Sequence, residues 1–160
     1  MDMSAIRTAI LRQLESDLAM QLNAALTSRD EAIDEESKAE NKYDTHAQEA
    51  AYLAEGQARI VADLRESISQ FAALPHVTDR APDRITLGSL ATLQDPKGTT
   101  THLFLGPRSG GLEVEHRGNR IMVVTPASPL GHQLLGGRVG DTIVSAENRS
   151  KIVQRIVAVC

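Results

Sequence analysis

Tryptophan is absent from this chain, and its 160 residues include only two Phe and two Tyr. That scarcity argues against a large aromatic core and against a stacking platform for single-stranded nucleic acid. Cysteine occurs once, at Cys160. There is no disulfide framework, and a lone thiol suits a reducing, cytoplasmic setting. No apolar run approaches the ~20 residues that span a bilayer. The amphipathic start Met1-Asp2-Met3 does not read as a signal peptide, so no membrane role is expected. The five histidines, His46, His76, His102, His116 and His132, are scattered. Without a paired histidine or a cysteine cluster they do not form a zinc signature. The run "LLGGRVGD" has no lysine-serine or lysine-threonine step and follows a helix, so its glycines read as turn residues. Ser109 and Ser128 have neither a nucleophile elbow nor a histidine partner in sequence.

Proline and glycine are also missing from one part of the chain. Before Pro75 there is no proline and a single glycine, Gly56; all six prolines and the other ten glycines lie at or after Pro75. Helix interiors exclude both residues and turns between strands need them. Residues 1–76 are therefore expected to be helical and residues 85–160 mostly β, joined by a linker over 77–84. In the first part, Ile6, Ile10, Leu11, Leu14, Leu18, Leu22 and Ala25 form one apolar stripe. Leu53, Ile60, Leu64, Ile68 and Phe71 form a second. Two such helices pair economically as an antiparallel coiled-coil hairpin, with arms of roughly 40 Å.

In the second part, strands are expected over 85–93 with an irregularity at Gly88, and over 101–106, 111–116 and 120–125. Two more, "DTIVSA" and "KIVQRIVAV", close the domain. Asp95-Pro96-Lys97-Gly98 reads as a hairpin turn. "ASPLGHQLLGG" (127–137) reads as a short helix with Ser128 as N-cap, Pro129 in its first turn and Gly136 at its stop. The fold class is α+β: the hairpin, then a small antiparallel sheet curled over one short helix.

Charge is uneven. Residues 1–76 carry 14 acidic and 7 basic side chains, whereas residues 77–160 carry 7 acidic and 10 basic. The acids concentrate where the hairpin must turn, at about 30–44, with seven carboxylates and two lysines from Asp30 to Asp44. The bland reading is a solvated loop. Like charges crowded together nevertheless cost stability unless something cationic meets them, and carboxylates suit a divalent ion.

These residues resemble the landmarks of the Gre transcript cleavage factors of bacterial RNA polymerase. The tip carries Glu40-Asn41 and Tyr43, and Glu55-Gly56 follows in the second helix. The C-terminal part carries Ser128-Pro129-Leu130-Gly131, then Leu134-Leu135-Gly136, then Val139-Gly140-Asp141. The resemblance spans nearly the whole chain and implies an FKBP-like C-terminal domain. It implies a protein that is not itself an enzyme and has no cofactor of its own. Such a protein acts as a monomer on RNA polymerase. Ser128, Pro129 and Leu130 would dock on the rim of the secondary channel while the hairpin enters it. Glu36, Glu40, Asn41 and Asp44 would act at the polymerase Mg²⁺ site, with Glu36 and Glu40 as ligands of that shared Mg²⁺ only within the complex. Contact with the RNA 3′ end is a further expectation.

One position departs from the family pattern. Three residues before Glu40, where the family has Asp, stands Ser37. A neutral hydroxyl is a poor Mg²⁺ ligand. Asp34, Glu35, Glu36 and Asp44 are the nearby carboxylates. The alternative to cleavage is therefore a non-cleaving regulator or inhibitor in the same channel. Two other classes are an active prolyl isomerase, which wants an aromatic-lined pocket, and a coiled-coil adaptor that oligomerises through its stripe.

Overall fold

The computed structural model describes residues 2–36, 46–75, 83–147 and 150–160. They form a helical hairpin of α1 (Met3–Glu36) and α2 (His46–Ala72), then a six-stranded sheet and a short helix. The sheet contains β1 (Leu90–Gln94), β2 (Thr100–Leu105), β3 (Glu113–His116), β4 (Asn119–Val124), β5 (Thr142–Glu147) and β6 (Ser150–Val159); α3 (Pro129–Leu134) lies between β4 and β5. Two compact units result: Gln13–Ile68, and Met1–Arg12 together with Ser69–Cys160. The roots of both helices thus belong with the sheet.

Asp2 starts α1. Its carboxylate accepts from the Ala5 amide at 3.1 Å and its carbonyl accepts from Ile6 at 3.1 Å, which satisfies donors that a helix start leaves unpaired. Within the unit Gln13–Ile68, Leu14, Val61 and Ser67 are buried, and Leu18, Leu64 and Ile68 are half-buried. Further along, the expected seam is exposed: Leu22, Leu53 and Ile60 are open to solvent, Leu53 at 66%. Helical periodicity marks a face, but burial also requires apolar groups opposite it at the same height.

At the roots, Met3, Ile6, Ile10, Phe71 and Leu74 are buried, as are Leu90, Phe104, Ile121 and Val123 on one face of the sheet. The Phe71 and Phe104 rings stack with centroids 6.1 Å apart and planes 28° from parallel. The stripe residues Ile6, Ile10 and Phe71 thus serve a helix-on-sheet core. Arg7 closes the end of α2 by donating to the Ala72 carbonyl and, at 3.5 Å, to the Pro75 carbonyl. A cation there meets the negative end of the helix and its unpaired carbonyls. Arg7→Ala is expected to destabilise the fold by about 1.5–3 kcal/mol, the usual worth of a hydrogen bond to a charged group. Urea unfolding checks this, and Arg7→Lys should recover part of the loss.

The strand order is β3-β4-β2-β1-β6-β5. The sheet is mixed rather than wholly antiparallel, because β2 runs parallel to β4, with His102 opposite Ile121 and Leu105 opposite Val124. After β2 the chain skips a position to lay down β3, and β4 returns into the gap. Reading successive strands as hairpins misses such a skip. The first strand is also shorter than expected: Gly88, with φ +88°, sits in a tight turn, and pairing begins at Leu90. The Asp95–Gly98 turn forms as expected. Asp95 Oδ1 accepts from the amides of Lys97 at 2.9 Å and Thr99 at 2.8 Å.

The opposite face of the sheet holds a second core of Ala91, Leu93, Leu103, Leu105, Val124, Ile143, Ile156 and Val159, closed by Ile85 and by Leu134 of α3.

Candidate functional site

Helix α3 and the turn after it carry most of the C-terminal motif residues. The chain enters α3 through Ser128, which is extended at φ −79°, ψ 150°. Its hydroxyl donates to the Thr125 carbonyl at 2.8 Å and accepts from the Gly131 amide at 3.0 Å. The Ser128 hydroxyl is therefore committed to the cap. Pro129 follows at the first helical position, where a missing N–H costs nothing, and it is exposed. Leu130 is half-buried and packs against the core. Of the three expected docking residues, Pro129 offers the most accessible surface.

The remaining motif residues divide the same way. Leu134 is fully buried, whereas Leu135 is 48% exposed and Val139 is 60% exposed. Gly136 has φ +80° and Gly140 has φ +99°, conformations that a side chain would strain. The Asp141 carboxylate accepts from the Arg138 amide at 2.8 Å and closes that turn. The motif thus builds a capped, hydrogen-bonded corner that leaves Pro129, Leu135 and Val139 at its surface.

The sequence did not point to Gln133, whose side chain binds the backbone of Val144 in β5. A single polar residue on a short helix carries no sequence signal for a contact eleven residues away.

On the hairpin, Glu36 is the last residue of α1. Ser37, Glu40, Asn41, Tyr43 and Asp44 lie outside the described residues. Glu55 lies in α2 and pairs with Arg59 one turn later at 3.4 Å. Beside it, Gly56 has nothing within 4 Å of where a Cβ would stand. Among the described residues no group of three or more His, Cys, Asp or Glu side chains could hold a metal ion. Phe104, the one aromatic residue of the second part, is 1% exposed beneath Phe71, so it lines no pocket for a proline substrate. No described helix is long and apolar enough to cross a membrane.

No family model matches the sequence, and no curated protein matches it. Solved structures do. The chain is similar to Gre-type transcription factors. GreA factor homolog 1 of Thermus thermophilus is 21% identical, covering 94% of each chain, with a TM-score of 0.40. Its Thermus aquaticus counterpart is 25% identical, covering 95% of this chain and 94% of that one, with a TM-score of 0.39. The elongation factor GreA/GreB from Nitrosomonas europaea is 22% identical, covering 60% of this chain and 78% of that one, also with a TM-score of 0.39.

Proposed function

We propose that this protein is a Gre-type transcription elongation factor that binds bacterial RNA polymerase and reaches into its secondary channel with the helical hairpin. The observation that carries the reading is the ordered set of landmarks on a matching architecture. Glu40-Asn41, Tyr43 and Glu55-Gly56 fall in the hairpin sequence. Ser128-Pro129-Leu130-Gly131 and Val139-Gly140-Asp141 build the capped corner around α3. In this reading the exposed Pro129, with Leu130 beside it, docks on the channel rim, and Ser128 holds the corner in shape. The protein acts on the polymerase's catalytic site and performs no reaction of its own.

The tip decides what happens in the channel. Mg²⁺ takes oxygen ligands and keeps several waters, so one or two carboxylates suffice to share an ion. Glu36 and Glu40 have the right chemistry, with Asn41 and Asp44 beside them. A Mg²⁺ held there would supply an activated water for phosphodiester cleavage. Contact with the RNA 3′ end belongs to the same reading.

Ser37 favours a second reading, a channel regulator that binds without promoting cleavage. A cleavage assay on stalled, backtracked polymerase separates the two. In the first reading the wild type releases short RNA fragments, and Glu36→Ala or Glu40→Ala reduces release at least tenfold. In the second the wild type binds without releasing fragments, and Ser37→Asp gains cleavage. A protein that neither binds polymerase nor alters backtracked complexes contradicts both.

A further inference from the structure

A tight turn over residues 86–89 leads the chain into β1, and it presents Leu87, which is 42% exposed. Turn positions usually carry Gly, Pro, Asn, Asp or Ser. The backbone nevertheless holds Leu87 firmly. The Ser89 amide donates to the Thr86 carbonyl at 3.0 Å, and the Thr86 amide donates to Ser89 Oγ at 3.0 Å. Gly88, at φ +88°, takes the turn position that needs a positive φ. Its amide donates to the Leu105 carbonyl of β2 at 2.8 Å, which ties the turn to the sheet.

Leu87 forms one wall of a groove of about 530 Å³. Ala73, Leu74 and Pro75 at the end of α2 form a second wall and Pro107 a third, with Gln70 and Thr86 at the rim. No lining residue is charged, and all belong to the unit that contains the sheet. The other walls are fixed as firmly as the turn. Arg7 holds the end of α2 through the Ala72 and Pro75 carbonyls, and just before Pro107 the Gly106 amide donates to the Val124 carbonyl at 2.9 Å. A preformed, mostly apolar cavity of this volume is of the size that binding sites have. Ala73, Pro75 and Leu87 are exposed, so the groove is open on one side. A small apolar ligand would stay half wet there. An apolar side chain carried on a protein surface brings its own cover.

The groove shares its end of the sheet with the α3 corner. β2 and β4 run parallel and finish together there. Val124, which accepts from Gly106, is followed by Thr125, whose carbonyl anchors the Ser128 cap. A Cβ at Gly110 would lie 3.4 Å from Thr125 Cγ2, so the loop that begins at Pro107 packs against the same residue. We propose that this groove is a second contact for RNA polymerase, and that it receives an apolar side chain from the polymerase surface that meets Pro129. The proposal rests on the reading of the chain as a polymerase-binding factor. Two separate contacts fix how the domain is turned on the polymerase, which a contact at Pro129 alone would leave free.

Anisotropy titrations of the labelled full chain with core polymerase test this. Leu87→Glu places a charge in the groove, and Ala73→Trp fills it without one. Each should remain folded by circular dichroism and weaken binding at least tenfold, the loss expected at a central apolar contact. Lys97→Glu, in the exposed turn at the other end of β1, should leave binding within about twofold. If Leu87→Glu does not fold, Leu87→Ser removes the apolar contact and carries the same expectation. A photo-crosslinking amino acid at position 87 should join the chain to a polymerase subunit in the complex. Folded groove variants that bind within twofold of the wild type, while Pro129→Glu does not, overturn the inference and leave the polymerase reading standing. So does a crosslink from position 87 to residues 76–82 of the same chain or to a second copy. A wild type that does not bind polymerase contradicts the reading and the inference together.

Discussion

Gly131→Ala should destabilise the C-terminal unit by about 3 kcal/mol, combining an overpacking strain of 1–3 kcal/mol with the loss of a helix cap. The direction is not obvious from propensity. Alanine in a helix is favoured over glycine by about 0.5–1 kcal/mol. Here, however, a Cβ at residue 131 would stand 2.0 Å from the Thr125 carbonyl oxygen and 2.6 Å from its carbon. Both are backbone atoms, and the oxygen accepts from the Ser128 amide at 2.9 Å and the Ser128 hydroxyl at 2.8 Å. Moving it aside breaks the turn that launches α3. Thermal unfolding by circular dichroism should show a fall of about 10–20 °C, given the usual shift per kcal/mol for a domain of this size. Gly56→Ala is the control. With open space around residue 56, the same substitution should raise stability by about 0.5–1 kcal/mol. A Gly131→Ala protein as stable as the wild type would contradict the packing described for this corner.

Phe71→Ala should cost about 3–5 kcal/mol, the range for deleting a buried aromatic ring. Phe71 is fully buried and stacks on Phe104. It also explains a glycine: a Cβ at Gly106 would lie 2.8 Å from Phe71 Cζ and 2.8 Å from Val123 Cγ1. Gly106→Ala alone should therefore be destabilising. In the Phe71→Ala background it should cost less, because one of the two clashing groups is gone. Urea unfolding of the four proteins measures that coupling, expected at about 0.5–3 kcal/mol for residues in contact. Additive losses would mean that the ring does not occupy the space above residue 106.

These two sites mark what the sequence could and could not say. Glycine and proline placement separated the helical part from the β part, because those residues act through local backbone geometry. The Ser128 cap, the Asp95 turn and the stop at Gly136 were legible for the same reason. The partner of an apolar stripe was not. Ile6, Ile10 and Phe71 have helical spacing whether they face another helix or a sheet, and here they serve the sheet-packed core. Leu22, Leu53 and Ile60 continue the pattern without becoming buried. The parallel pairing of β2 with β4, the Arg7 contacts at the end of α2 and the Gln133 contact with β5 are long-range or depend on one side chain. No periodicity announces them.

The candidate site follows the same division. The corner around α3 was legible as a motif, but which of its side chains are buried is set by packing against the sheet. Ser128, Gly131, Leu134 and Asp141 hold the shape, while Pro129, Leu135 and Val139 are exposed at its surface. At the tip, the roles proposed for Glu36, Glu40, Asn41 and Asp44 rest on the resemblance and, for the three acids, on carboxylate chemistry.

The central proposal is that the chain binds bacterial RNA polymerase through its C-terminal corner. Titrating the fluorescently labelled full chain with core polymerase, and following anisotropy, tests it most directly. The expected result is saturable binding that Pro129→Glu, a change at an exposed position, weakens at least tenfold, since burying an unpaired charge in a contact is costly, while Glu40→Ala at the far tip leaves it within about twofold. No saturable binding by the folded wild type would contradict the proposal.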